Sequence, residues 1–131
     1  MTPNSLLGVA ELEARIDAGE QSRVEPLAIE RKGTRDVIGY CGLVPSLVTP
    51  DGEPELAFEL LRRVWNQGYA TEAAAAVLNW AASAGYERLW ATVREWNVAS
   101  FRVLTKVGFV PSGEVEPDQD HGDSVLMVRV L

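Results

Sequence analysis

The stretch Val64-Trp65-Asn66-Gln67-Gly68-Tyr69-Ala70-Thr71-Glu72 lies between the apolar alternation of Glu55 to Leu61 and the alanine-rich run Thr71 to Ala84. This order predicts a strand that feeds a helix through a tight, glycine-containing turn. The first turn of a helix exposes unpaired backbone N–H groups and roughly half a positive charge, so such a turn is suited to an anion. Gly68 and Ala70 are the positions where a bulky side chain would stand between that backbone and a phosphate. Neither G-x-x-x-x-G-K-S/T nor G-x-G-x-x-G occurs in the chain, so the diphosphate expected here is of another kind.

The elements on either side follow from spacing. Ser5 to Gly19 reads as a short amphipathic helix, Pro26 to Arg31 and Val37 to Val44 as a hairpin, and Pro45 to Pro54 as a loop. Gly39 and Gly42 inside the second hairpin strand predict a bulge or a close neighbour. In Glu55 to Leu61, Leu56, Phe58 and Leu60 share one face and Glu55, Ala57 and Glu59 the other. The alanine-rich helix stops at Gly85. Arg88 to Glu95 is the next strand, and a strand, crossover helix and strand in this order favour parallel pairing. Asn97 is placed to cap a second helix, Val98 to Lys106, and the strands Val110 to Glu116 and Ser124 to Leu131 close the sequence.

Composition excludes several classes of function. At 131 residues the chain is expected to form one domain, with a core that requires neither disulfides nor metal. Cys41 and His121 are the sole representatives of their types and lie far apart, which leaves little for a zinc site or a Cys–His nucleophile. The lone cysteine, with no apolar signal run or membrane-length stretch, reads as a soluble cytoplasmic protein. A formal net charge of −7 argues against nucleic acid as a general partner. Residues 60–106 differ from the rest. They hold Arg62, Arg63, Arg88, Arg94, Arg102 and Lys106 against Glu72, Glu87 and Glu95, an excess of three that leaves the remainder at −10. The basic segment is the one that contains the turn.

The order β-β-β-α-β-α-β-β, with this turn after the third strand, resembles the GNAT acetyltransferase superfamily. Its signature is Arg/Gln-x-x-Gly-x-Gly/Ala. Trp65 to Ala70 matches at Gly68 and Ala70, with Trp65 in place of the Arg or Gln. Gly68 to Ala73 and Asn97 to Phe109 are similar to the RimJ/RimL-like branch, and the resemblance runs from about Leu27 to the C-terminus. It implies a mixed α/β (α+β) fold: a mostly antiparallel sheet with a central, splayed parallel strand pair and flanking helices.

The resemblance also implies acetyl-CoA as the acyl donor. Its pyrophosphate would lie on the amides of Gln67 to Thr71, including Gly68, Tyr69 and Ala70. Its arm would enter the splay and pair with the backbone of Leu60, Leu61 and Arg62. Trp65, Asn66 and Asn97 would complete the surface, although an N-cap explains Asn97 equally well. Acetyl transfer to an amine needs a base and an acid. The tyrosine that serves many relatives as the acid corresponds to Leu104 here, so Ser100 is the candidate acid and Glu59, expected to be partly buried, the candidate base. The Leu60 amide is the candidate donor to the thioester carbonyl.

Relatives usually carry a further strand and helix before the segment Ser5 to Ala18. Their absence from this sequence implies a shortened form, an open acceptor site, or a homodimer whose second subunit supplies the wall. It also places the Leu27 strand near a sheet edge, guarded by Arg31 and Lys32. Two functions fit: an N-acetyltransferase acting on a small amine or protein N-terminus, and a non-catalytic acyl-CoA-binding module.

Overall fold

The computed structural model describes residues 26–31 and 33–131, so the expected helix Ser5 to Gly19 and the guard Lys32 lie outside the described residues. Six strands and two helices follow in order: β1 (Pro26–Glu30), β2 (Val37–Val44), β3 (Glu55–Leu60), α1 (Tyr69–Ser83), β4 (Arg88–Arg94), α2 (Val98–Lys106), β5 (Val110–Glu116) and β6 (Ser124–Val130). Short 3₁₀ turns at Pro50–Gly52 and Arg62–Val64 were not legible from spacing. The strands form one sheet in the order β1-β2-β3-β4-β6-β5. Every neighbouring pair is antiparallel except β3 and β4, which are parallel as expected. Among the described strands β1 is at an edge, where Arg31 stands 3.6 Å from Asp36.

The β1–β2 turn is closed by Thr34, whose hydroxyl donates to the Arg31 carbonyl at 2.9 Å and accepts from the Asp36 N–H at 3.0 Å. Ile29 pairs with Gly39 but Glu30 pairs with Val37, so Ile38 is the extra residue of a bulge. The bulge turns Ile38 inward, and it is fully buried. Gly39 is required by proximity, because a Cβ there would stand 2.1 Å from the Glu59 carbonyl oxygen.

Alternation along β3 buries Leu56 and Leu60 and packs Phe58 partly into the same core. Helix α1 covers that face with Ala73, Ala74, Ala76, Val77, Trp80 and Ala81, and its alanines let it lie close to the sheet. It starts two residues before the expected Thr71, because Tyr69 is drawn into the core and Gly68 adopts the left-handed conformation that caps it. The helix stops at Gly85, whose φ of +93° lets the Tyr86 N–H return to the Ala81 carbonyl at 3.1 Å. Leu89, Ala91 and Val93 of β4 and Leu104 of α2 join the same core. Trp90, on the alternate face of β4, is buried as well.

Candidate active site

The one parallel pair is closed at one end and open at the other. Among the described residues β3 and β4 share a single register pair, Glu55 with Trp90. Glu53 clamps this end: Arg88 donates to its carboxylate from Nε at 2.6 Å and Nη2 at 3.2 Å, and the Trp90 indole donates at 2.7 Å. The Arg88 hydrogen bond, followed by that of Trp90, holds the Glu53 carboxyl below its ordinary range. Beyond Glu55 no ladder joins the two strands, and both run out at the opposite end.

The turn is at that open end. The Val64 N–H donates to the Leu61 carbonyl at 3.0 Å and the Trp65 N–H to the Arg62 carbonyl at 3.1 Å. Asn66 (φ +63°) and Gly68 (φ +83°) are both left-handed, and they turn the chain into α1. No side chain caps the helix, whose first N–H to return to the turn is that of Glu72, to the Gly68 carbonyl at 3.0 Å. The amides of Tyr69, Ala70 and Thr71 therefore point out of the helix without intrahelical partners. A Cβ at Gly68 would meet nothing within 4 Å, so the glycine answers to backbone conformation rather than to a close neighbour. This arrangement suits a diphosphate. Leu60 and Leu61 precede the 3₁₀ segment Arg62–Val64, Arg62 opens it, and Trp65, Asn66, Gln67, Gly68, Ala70 and Thr71 follow it. The Tyr69 side chain is buried, so that residue offers only its amide.

The end of β4 brings up the remaining candidates. Asn97 accepts from the Ser100 N–H through Oδ1 at 3.1 Å, the expected N-cap, and a cap is worth about 1 kcal/mol. Its side-chain NH₂ is left as a donor. Ser100 is half-buried in the first turn of α2, and Leu104, which carries no transferable proton, is buried in the core. Glu59 differs from expectation. Alternation sends it to the sheet face away from α1, opposite Tyr40 on β2, and it is exposed. The burial that was to strengthen it as a base is therefore absent. Glu59 and Ser100 share the open end of the parallel pair but belong to different elements.

The basic character of residues 60–106 is largely neutralised. Arg63 makes two hydrogen bonds to Asp36, one of them 2.9 Å, and they hold the Asp36 carboxyl below its ordinary range. Arg88 is taken by Glu53. Arg94 donates to Asp118 and to the Gly122 carbonyl, each at 3.0 Å, and so anchors the loop beside the open end. Arg62 lies over the Trp65 ring, 5.4 Å from its centre. Cys41 is fully buried and its thiol is pushed up to about 12 by desolvation, which leaves it inert. The described residues hold no group of His, Cys, Asp and Glu suited to a metal. No described helix is long and apolar enough to cross a membrane.

Sequence reasoning missed three indole donors around this site. Trp90 reaches Glu53, Trp65 reaches the Leu60 carbonyl at 2.8 Å, and Trp96 reaches the His121 carbonyl at 2.8 Å. Of the three only Trp90 is buried, where an indole usually finds an acceptor, and no signal in the sequence pointed to the partners of the exposed Trp65 and Trp96.

A mixed sheet whose one parallel pair opens beside an uncapped helix terminus defines an α/β domain with an anion-accepting turn. A family model for the acetyltransferase (GNAT) domain matches residues 4–110, and the chain belongs to that family. It is similar to YkkB of Bacillus subtilis, 35% identical over 80 residues that cover 60% of this chain and 46% of that protein. It is also similar to the uncharacterized N-acetyltransferase YoaA of Bacillus subtilis, 35% identical over 86 residues covering 65% and 48%. The chain thus spans about half the length of these curated relatives. Three solved structures share the fold. A GNAT-family member from Bordetella pertussis has a TM-score of 0.74 at 22% identity, over 92% of this chain and 74% of that one. The ribosomal-protein-S5-alanine acetyltransferase from Vibrio fischeri has 0.72 at 19%, over 92% and 69%. YncA from Salmonella typhimurium, solved with acetyl-CoA, has 0.70 at 21%, over 90% and 70%.

Proposed function

We propose that this protein transfers an acetyl group from acetyl-CoA directly to a primary amine, either a small molecule or a protein N-terminus. The observation that carries this reading is the uncapped start of α1 behind Gly68, placed at the open end of the one parallel strand pair. Membership of the family and the acetyl-CoA-bound relative support it.

Acetyl-CoA supplies the activated thioester. The amides of Gln67 to Thr71 hold its diphosphate, and its arm pairs with the backbone groups of β3 that face the gap. Within Leu60 to Arg62 the Leu61 N–H, Leu61 carbonyl and Arg62 carbonyl are taken by Ile38, Val64 and Trp65, so the expected pairing there narrows to the Leu60 N–H. The Leu60 N–H donates to the carbonyl oxygen, where negative charge develops during transfer. Glu59, exposed on the face away from α1, takes a proton from the incoming ammonium directly or through water. As the tetrahedral adduct collapses, the Ser100 hydroxyl gives its proton to the leaving sulfur and recovers one from the adduct nitrogen, which becomes the neutral amide.

A panel of amines, from polyamines to peptides with free N-termini, is to be incubated with acetyl-CoA while thiol release and acetylated product are followed. At least one amine is expected to be acetylated. Acetyl-CoA binding with no product from any acceptor would instead support an acyl-CoA-binding module, a reading that the exposed Glu59 and the buried Leu104 favour.

A homodimer and a cytoplasmic location belong to the same proposal. Val110, Val115 and Val130 stand exposed around the β5–β6 edge, apolar surface that a second copy would cover. Light scattering is expected to return twice the chain mass, and a monomer at high concentration would overturn the dimer.

A further inference from the structure

The peptide between Leu60 and Leu61 decides which backbone groups line the gap between β3 and β4. The Leu61 N–H donates to the Ile38 carbonyl on β2 at 2.8 Å, and no described peptide bond is cis. Across a trans peptide the C=O is antiparallel to the N–H, so the Leu60 carbonyl points away from β2 and toward β4. In an antiparallel strand both backbone groups of one residue point the same way. The Leu60 N–H therefore faces the gap, as do both groups of Phe58, one strand period earlier. Since β4 pairs with β3 only at Glu55, these groups have no strand opposite them.

The Leu60 carbonyl is nonetheless taken. The Trp65 indole donates to it at 2.8 Å, and the Arg62 guanidinium lies 5.4 Å over the same ring. Trp65 stands where the family signature has Arg or Gln, and its indole folds back onto the strand. The gap-facing edge of β3 is left with an acceptor at Phe58 and donors at Phe58 and Leu60.

We infer that Trp65 is a positioning residue that fixes the register in which the acyl-donor arm pairs with β3, by withdrawing the Leu60 carbonyl from the gap. The inference rests on the proposed function. An arm carrying amides pairs wherever donors and acceptors alternate. A free Leu60 carbonyl would offer a second acceptor about 6.8 Å beyond that of Phe58. An arm slipped by that distance still binds, but its thioester no longer meets the Leu60 N–H. Reactivity is lost while affinity is kept, whereas a merely structural indole would lose stability, affinity and turnover together.

The test compares the parent with Trp65→Phe and with Trp65 replaced by β-(3-benzothienyl)alanine, which keeps the ring shape and the Arg62 contact but lacks the N–H. Acetyl-CoA affinity is measured by calorimetry, turnover with the acceptor found above, and melting temperature for each form. In the parent, hydrogen exchange of the Trp65 indole N–H is followed by NMR with and without acetyl-CoA. The indole proton is expected to stay protected in the complex. Both variants are expected to keep their affinity within about threefold and to lose turnover by about tenfold to 10²-fold, the scale of a misplaced reacting group. Exposure of the indole proton on binding would overturn the inference. So would unchanged turnover, or a parallel fall in affinity and turnover, in the benzothienyl form. A parent that binds no acetyl-CoA would overturn the proposed function as well, and that result precedes any variant.

Discussion

Gly68→Glu is expected to lose acetyl-CoA binding by about 10²-fold or more while the protein stays folded. Gly68 has a φ of +83° and open space around its missing Cβ, so a new side chain there enters open space beside the turn that leads into α1. A non-glycine residue in the left-handed region costs about 1–2 kcal/mol. A carboxylate beside a helix N-terminus recovers part of that, because it is attracted to the same amides. For a ligand diphosphate the sign is reversed: the carboxylate occupies its donors and repels it. Two like charges about 4 Å apart at an effective dielectric near 20 repel by about 4 kcal/mol, and salt reduces this at an exposed site. Gly68→Ala carries the backbone cost without the charge, so it is expected to weaken binding far less. Calorimetry on both variants, with melting temperatures alongside, separates a blocked site from an unfolded one. Unchanged affinity in Gly68→Glu would remove the turn from the cofactor site.

Glu59→Gln and Ser100→Ala are expected to lower turnover by about 10² to 10⁴, the range of general acid–base steps, with acetyl-CoA affinity nearly intact. Retained affinity distinguishes these variants from Gly68→Glu. A base must be unprotonated to act, so the rate falls as pH falls and the acidic limb reports its titration. The acceptor amine must also lose a proton, so only a change of that limb in Glu59→Gln assigns it to the carboxylate. If both variants turn over within about threefold of the parent, neither residue is catalytic, and positioning of a neutral amine carries the rate.

The parts of this fold that were legible in the sequence are those specified by near neighbours. The apolar alternation of Leu56, Phe58 and Leu60, the alanines of α1, the glycine at 85 and the Asn97 cap all act within a few residues. The structure places each of them close to where spacing put it. The Gly68–Ala70 turn was legible for the same reason, since a left-handed residue before a helix is a local conformational demand. Its meaning as a cofactor site came from family resemblance, because an anion-accepting turn does not name its anion.

Periodicity assigns Glu59 to the face opposite Leu60, but not whether that face is covered, and the structure leaves it exposed. The charge count showed a basic segment, but not that Arg63, Arg88 and Arg94 are matched to Asp36, Glu53 and Asp118, partners 27, 35 and 24 residues away. Gly39 predicted a bulge or a close neighbour, and only strand pairing identified that neighbour as the Glu59 carbonyl. The sequence by itself determined the described strands and α-helices, their order and the glycine turn before α1, because backbone conformation responds to side chains one helical turn or one strand period away. Tertiary structure alone decided where the parallel pair opens, which carboxylates neutralise the basic segment and which carbonyl the Trp65 indole occupies. Those contacts exist only after strands distant in sequence have been brought side by side.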